Sequence, residues 1–366
     1  MSAGVYVHVP FCLTRCGYCD FNAYEALEHL RGRYVAALML EAELAAPAWS
    51  REEFASVFFG GGTPTTLEGE DLAALLRSLR ALFSILSDAE VTIEANPDTV
   101  DALKLAGLLD AGYARLSMGA QSFDSAVLGA LERVHNPDSV RRAMHAARDA
   151  GFANVNLDLI YGADGETVDS WERTLLETIE LAPEHVSAYA LTIEPSTPLG
   201  RKVQQGLVPG PDSDLQADMF ELACVSLAEA GYRHYEVSNW AKPGFECVHN
   251  LGYWERRLYL GIGAGAHSYR DERRWWNVRP PQEYLSVVEA GRLPIGGEEV
   301  LDRSAAHLEE IFLRLRILEG LPTSMVDPEV STPFIESGLL RHDDDALVPT
   351  ERGMLVLNEL VLALAN

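Results

Sequence analysis

Three of the chain's five cysteines, Cys12, Cys16 and Cys19, fall within eight positions, C-L-T-R-C-G-Y-C. Three thiolates on one loop suit one face of an iron–sulfur cluster. A four-iron cluster ordinarily takes four cysteines, so here one iron would lack a protein ligand. A zinc site is the competing reading. It needs a fourth ligand in closed tetrahedral geometry, and His8 is the nearest donor, although the spacing is not that of a paired finger. Disulfides are disfavoured, because three neighbouring cysteines cannot pair evenly and no secretory signal stands at the N-terminus.

The elements that must position these thiols are legible. Val5-Tyr6-Val7-His8-Val9 alternates and is β-branched, which predicts a strand ending at Pro10. The cysteines therefore stand on the loop directly after it. A helical pattern over 34–46 follows, then a buried strand at 56–59 running into Gly60-Gly61-Gly62-Thr63-Pro64, where glycines let backbone approach a ligand closely. Strands at 91–95, 115–118, 154–160 and 185–191 alternate with helices near 71–83, 98–111, 139–150, 170–181 and 215–230. Six βα units imply an α/β fold with a parallel sheet, too few to close an eight-fold barrel, hence a partial (β/α)6 TIM-like barrel. In such barrels chemistry gathers at the C-terminal strand ends, where the cysteines, the glycines and Glu94 fall. Residues 1–235 form this core. Residues 236–300 lose the alternation and read as a barrel-end extension. Residues 301–366 read as a small helical, winged-helix-like domain: helix 303–319, helix 332–337, a hairpin turning at Asp343-Asp344-Asp345, and a last helix 351–363 capped by Thr350.

The 366 residues carry 29 Lys and Arg against 55 Asp and Glu, a net charge of −26. Such a chain repels nucleic acid, and the acidic hairpin argues against DNA reading by the terminal domain. No apolar run is long enough to span a bilayer, and the cysteine usage suits a reducing compartment.

The C-x3-C-x2-C run and the strand before it resemble the signature of the radical S-adenosylmethionine (SAM) superfamily. The resemblance implies a [4Fe-4S] cluster on Cys12, Cys16 and Cys19, with the amino and carboxylate groups of SAM on the open iron, and reductive cleavage to a 5′-deoxyadenosyl radical. Y-V-H-V-P-F-C, G-G-G-T-P, G-A-Q-S-F and N-L-D-L-I-Y-G further resemble the porphyrin-related branch, which holds oxygen-independent coproporphyrinogen III dehydrogenase and the HemW haem chaperones. By that resemblance SAM is held by Tyr6, Gly61, Gly62, Thr63, Glu94, Gln121, Arg133 and Asp158. The chemistry is sensible: carboxylates for an ammonium and ribose hydroxyls, an arginine for a carboxylate. Glu94 and Asp158, on otherwise apolar strands, need partners if buried. Tyr6 has strand packing as its plain alternative, and Gln121 and Arg133 have surface exposure.

Three features separate the two paralogues. The dehydrogenases carry a further cysteine two residues after the third, where this chain has Phe21. They carry a stretch before the first strand, which here begins at about residue 4. Residues 249–254, H-N-L-G-Y-W, match the H-N-x-x-Y-W motif of the chaperones. The resemblance implies a haem site at His249, Tyr253 and Trp254: imidazole for iron, rings to stack on the macrocycle, and Arg256, Arg257, Arg273 and Arg274 for the propionates. A hydrogen-bonded structural His249 is the alternative, with Cys247 as another ligand; Cys224 reads as a buried helix residue.

The expectation is a chaperone that binds a [4Fe-4S] cluster, SAM and haem and delivers haem to acceptor haem proteins. It assigns no catalytic residue. The runner-up is a radical SAM enzyme acting on a tetrapyrrole, by coproporphyrinogen III decarboxylation or haem ring opening. Expected partners are acceptors such as respiratory membrane complexes, an electron donor if SAM is cleaved, and a second copy of the chain in a homodimer. The expected location is the cytoplasm, including the inner face of the membrane.

Overall fold

A computed structural model describes residues 2–365. Six parallel strands, β1 (Ala3–Val9), β2 (Glu53–Gly61), β3 (Ser84–Ala95), β4 (Arg115–Gln121), β5 (Asn154–Tyr161) and β6 (His185–Ala190), lie side by side in chain order. Helices Arg31–Ala45, Gly69–Leu82, Ala102–Ala111, Pro137–Ala150, Val168–Glu180 and Ser213–Glu229 follow them. Asp101, Asn136, Thr167 and Asp212 cap four of these helices through their side chains. Gly112 and Gly151 end two of them in the left-handed conformation.

The period of two along each strand decides which residues meet the helices and which meet the lumen. Val5, Val7, Val57, Phe59, Val91, Ile93, Leu116, Met118, Val155, Leu157 and Val186 are buried in one core against the helices. The alternate residues, Tyr6, His8, Phe58, Glu94, Arg115, Ser117, Asn156, Asp158, Ser187 and Tyr189, line a chamber inside the sheet. The half barrel is apolar outside and polar within, so its interior is a binding space rather than a packed core.

The region after β6 widens the same sheet at both ends. β7 (Arg233–Glu236) and β8 (Asn239–Ala241) add antiparallel beyond β6. β9 (Tyr259–Ile262) pairs parallel with the far side of β1, and β10 (His267–Arg270), β11 (Arg273–Asn277) and β12 (Ile295–Val300) continue outward. A seventh parallel strand is illegible in the sequence because β9 is four residues long and the helix before it, Val248–Trp254, is only seven residues long. Buried Glu41 ties this region to the first helix: it accepts from Gly263 N at 2.8 Å, Tyr284 OH at 2.6 Å and Asn277 Nδ2 at 2.6 Å.

The terminal domain has its own core around Ile311, Leu315, Leu340, Leu347 and Leu360. β13 (Leu321–Pro322), β14 (Leu340–Asp343) and β15 (Ala346–Pro349) form a three-stranded sheet with helices Arg303–Arg314 and Pro328–Glu336. Asp344, at φ +48°, turns the acidic hairpin, and Thr350 accepts from Gly353 N at 3.1 Å as the expected cap. The last helix is not continuous: it breaks at Val356 into Glu351–Leu355 and Leu357–Leu364. Its first turn is held close to the hairpin, where Thr350 N donates to Leu339 O at 3.0 Å and a Cβ on Gly353 would collide with that carbonyl, while the second faces the domain core.

Candidate functional site

The cysteine loop is laced to the glycine turn by backbone. Gly62 N donates to Val9 O and Thr63 N to Phe11 O, both at 2.8 Å, and Cys12 N donates to Tyr24 O at 3.0 Å. Gly61 sits at φ +115°, where a Cβ would run into the His8 ring. A Cβ on Gly62 would lie 2.7 Å from the Phe11 carbonyl oxygen. Both glycines are thus required by close approach, not by flexibility.

All five cysteines are free thiols. Cys16 is buried, Cys12 Sγ lies 3.7 Å from Thr63 Oγ1, and Arg133 Nη1 donates to Cys16 Sγ at 3.2 Å. Burial pushes the Cys12 thiol up to about 11, so taking up a metal must release protons here. Among the described residues no three His, Cys, Asp or Glu converge on a point that could hold one metal ion. His8 is occupied, Nδ1 with Tyr6 OH at 3.0 Å and Nε2 with Asn22 O at 2.9 Å. The single-zinc reading is therefore unsupported. A cluster differs, because each cysteine meets its own iron and the sulfurs need not converge.

Two cavities adjoin at this loop. The first, about 390 Å³, is lined by Cys12, Cys16 and Cys19 together with Gly61, Gly62, Thr63, Glu94, Gln121, Arg133 and Asp158. The structure so brings together every residue expected to hold SAM except Tyr6, which lines the second cavity. Gln121 adopts φ +65° at the end of β4, an unfavourable backbone for a non-glycine residue, and it lines the cavity. Glu94 accepts from Gly61 N at 3.0 Å. Burial, then the charge of Asp158, raises Glu94 to about 8, with the Gly61 N–H and Arg115 offsetting part of the shift. Asp158 is raised by burial as well, against hydrogen bonds from Ser117 Oγ at 3.1 Å and Asn156 Nδ2 at 2.8 Å. Two neighbouring carboxyls under enclosure are suited to a cation.

The second cavity, about 900 Å³, is the chamber of the half barrel. Asp20, Phe21, Gly61, Glu94, Ser117, Asp158 and Tyr189 line both cavities and form their common wall. Phe21 is 64% exposed on that wall. Tyr6, Phe58, Tyr253, Tyr259 and Trp276 give the chamber aromatic sides.

His249 and Tyr253, one turn apart on helix Val248–Trp254, both reach the chamber. His249 is buried, with Nδ1 on Ser56 Oγ at 2.8 Å and Nε2 on Tyr253 OH at 3.0 Å, and it stacks on Phe58. Burial, then Arg115, lowers it to about 3, so it is neutral. Trp254 is not among the chamber residues. It is off the face that His249 and Tyr253 share, and its indole lies by Glu236. Cys247 also lies outside, its thiol donating to Glu90 Oε1 at 3.4 Å. Cys224 is buried on its helix. Of the four arginines read beside the motif, none lines the chamber. Arg256 pairs with Glu272, Glu309 and Glu310, Arg257 with Glu255, Arg273 with Glu298, and Arg274 with Glu299 and Glu309.

Several chamber residues escape the sequence reading, His267 and Arg115 among them. His267, exposed at the start of β10, stacks on Trp276, and among the described residues no group bonds its ring nitrogens. Arg115, at the start of β4, faces inward from the floor. Strand parity was the available signal for Arg115, since it shares a face with Ser117; His267 stands in a stretch without clear periodicity.

Residues 6–177 match the family model described as the radical SAM superfamily, and residues 301–356 that of the HemN C-terminal domain. The chain is 44% identical over 368 residues to the heme chaperone HemW of Mycobacterium tuberculosis, covering 99% of this chain and 94% of that one. It is 35% identical to the heme chaperone HemW of Escherichia coli, covering 98% and 96%. Among solved structures, coproporphyrinogen III oxidase (HemN) from Escherichia coli, a radical SAM enzyme, matches with a TM-score of 0.86 and 25% identity over 100% of this chain and 90% of that one. Full-length similarity of this degree, together with the cysteine loop and its adjoining cavity, places one conclusion beyond the fold: the chain belongs to the HemW family of the radical SAM superfamily.

Proposed function

We propose that this protein is a haem chaperone: it holds haem in the chamber and passes it to acceptor haem proteins, respiratory membrane complexes among them. Membership of the superfamily implies a [4Fe-4S] cluster and SAM, and the residues present fit both. Cys12, Cys16 and Cys19 would hold the cluster. Gly61, Gly62, Thr63, Glu94, Gln121, Arg133 and Asp158 would hold SAM. When bound, this pair supplies one-electron reduction of a sulfonium. The chain's own contribution is to shield it behind the laced loops, to keep a proton on Glu94 until a cation arrives, and to offer Gly61 N–H as a fixed donor.

The observation that carries the reading is a chamber of about 900 Å³ with aromatic sides, sharing a wall with the cysteine-lined cavity. Its size lies near the upper end of the ~300–1,000 Å³ usual for ligand sites. Phe21 stands on that wall where the dehydrogenases carry a cysteine. It supports a protein that retains its cargo over one that decarboxylates it. The shared wall is also the observation that favours the second reading, a tetrapyrrole enzyme, because it puts the cluster cavity within reach of whatever fills the chamber.

Two histidines offer a ligand to iron. His249 belongs to the motif but must give up Tyr253, whereas His267 has no hydrogen-bond partner at either ring nitrogen among the described residues. An anaerobic haem titration of the cluster-reconstituted protein tests both. Saturable, near-stoichiometric binding is expected. His249→Ala and His267→Ala will alter the absorption spectrum according to which imidazole meets the iron. Absence of saturable binding by the unsubstituted protein would overturn the chaperone reading.

A further inference from the structure

The floor of the chamber holds a cation with no counter-charge in contact. Arg115 is 2% exposed, lines the chamber, and its Nε has no hydrogen-bond partner. Among the described residues no hydrogen bond or ion pair reaches any part of its guanidinium. The acidic groups whose charge it feels, Glu90, Asp158 and Glu94, form no ion pair with it among the described residues and are bonded elsewhere, Glu94 to Gly61 N. Glu90 accepts from the Cys247 thiol and from the backbone N–H groups of Val248 and His249. Asp158 accepts from Ser117 and Asn156. Of the other titratable groups around it, His185 is neutral by burial and bonds Asn156 Oδ1 and Tyr235 OH, both at 2.7 Å, and burial holds Cys247 and Tyr235 in their protonated, neutral forms.

A guanidinium carries five donors and does not lose its charge, so burying it unpaired is costly unless an anion arrives. Every other arginine near the motif is paired, as described above. Arg279, the second arginine on the chamber, is exposed, where water solvates it. Arg133, the guanidinium on the cluster side, lines only the first cavity and is bonded to Cys16 and Gly119.

We propose that Arg115 is the anchor of the chamber: it receives an ionised carboxylate of the occupant, fixing an amphipathic planar molecule with its charged edge at the floor and its rings against the aromatic sides. The assignment rests on the chaperone reading, in which the carboxylate is a haem propionate. It replaces the four surface arginines in that role. The other source of a carboxylate is SAM, whose own site is on the other side of the common wall.

The test is equilibrium binding of haem and of haem dimethyl ester to the cluster-reconstituted protein and to its Arg115→Gln and Arg115→Lys variants, with SAM affinity and thermal midpoint measured alongside. A charge-assisted bidentate pair is among the stronger hydrogen-bonded contacts. Esterification should therefore weaken binding to the unsubstituted protein about tenfold or more. Arg115→Gln should weaken free-acid haem to the same degree and leave the ester unaffected, with Arg115→Lys between them. SAM affinity should change far less than haem affinity, and only through the carboxyls Glu94 and Asp158, which Arg115 helps to ionise. Because a buried unpaired charge is removed, the thermal midpoint of ligand-free Arg115→Gln should hold or rise. Equal binding of acid and ester by the unsubstituted protein would overturn the assignment and leave the chaperone standing. Loss of SAM rather than haem affinity in Arg115→Gln would move the carboxylate to SAM. A fall in the ligand-free midpoint together with equal loss of acid and ester would make Arg115 structural. Failure of the unsubstituted protein to bind haem would defeat the chaperone reading itself.

Discussion

Glu94 shows how a single enclosed group couples proton to ligand. Raised to about 8 by burial first and by Asp158 second, it keeps its proton at neutral pH in the empty site. A cationic ligand prefers the ionised form, so SAM affinity should climb with pH towards about 8 and drop by up to about tenfold per unit below it. Titration calorimetry of the cluster-loaded protein between about pH 6 and 9 reads this directly. Glu94→Gln should weaken binding and flatten the profile, and a flat profile in the unsubstituted protein would contradict the assignment. The stability term has the opposite sign. A folded-state value above the unfolded one means the protonated form stabilises the fold; that contribution is whole below about 4.5 and is lost as pH rises through about 8. His249 runs the other way. Its folded value near 3 adds stability above the ordinary histidine range that disappears as pH falls towards 3.

At the scale of elements, the site is held by backbone geometry. Gly61→Ala would put a methyl group into the His8 ring at a positive φ. The cost should be roughly 1–3 kcal/mol of stability. Chemical denaturation of the cluster-free protein checks the cost, and SAM affinity of the reconstituted variant should fall with it. The same elements explain what was legible. The six βα units, the hairpin and the Thr350 cap follow from period and punctuation, and the cysteine loop from its position after β1. The H-N-L-G-Y-W run reads as one unit, yet only His249, Asn250 and Tyr253 of it line the chamber, and Trp254 falls elsewhere. The arginine-rich stretch reads as free charge, whereas β12 and helix Arg303–Arg314 supply carboxylates to it from regions farther along the chain. Arg115 reads locally as the first residue of a strand; only the curvature that turns one face into a lumen gives it meaning.

The whole molecule joins a half barrel to a small terminal domain through apolar packing, in which Met354 enters the barrel core and Val237 packs on the domain core, through backbone hydrogen bonds and through ion pairs. Val237 N donates to Arg316 O at 2.9 Å and Leu318 N to Tyr235 O at 3.2 Å, which fixes the domain beside the end of β7. Around this seam Arg256 and Arg274 bind Glu309 and Glu310 of helix Arg303–Arg314. Partly exposed pairs contribute roughly 0–1 kcal/mol each. Arg256→Ala with Arg274→Ala should therefore speed hydrogen exchange in the terminal helices about severalfold, an effect that added salt reproduces in the unsubstituted protein, while the barrel core stays protected. Among the described residues no helix is long and apolar enough to cross a membrane. The central claim is that the chamber carries its tetrapyrrole without transforming it. Its most direct test is an anaerobic incubation of the reconstituted protein with SAM, a strong reductant and either haem or coproporphyrinogen III, followed by separation of the products. Haem recovered intact at about one per chain, with no decarboxylated porphyrinogen, is the predicted result; multiple turnovers of coproporphyrinogen III, or opened haem, would contradict it.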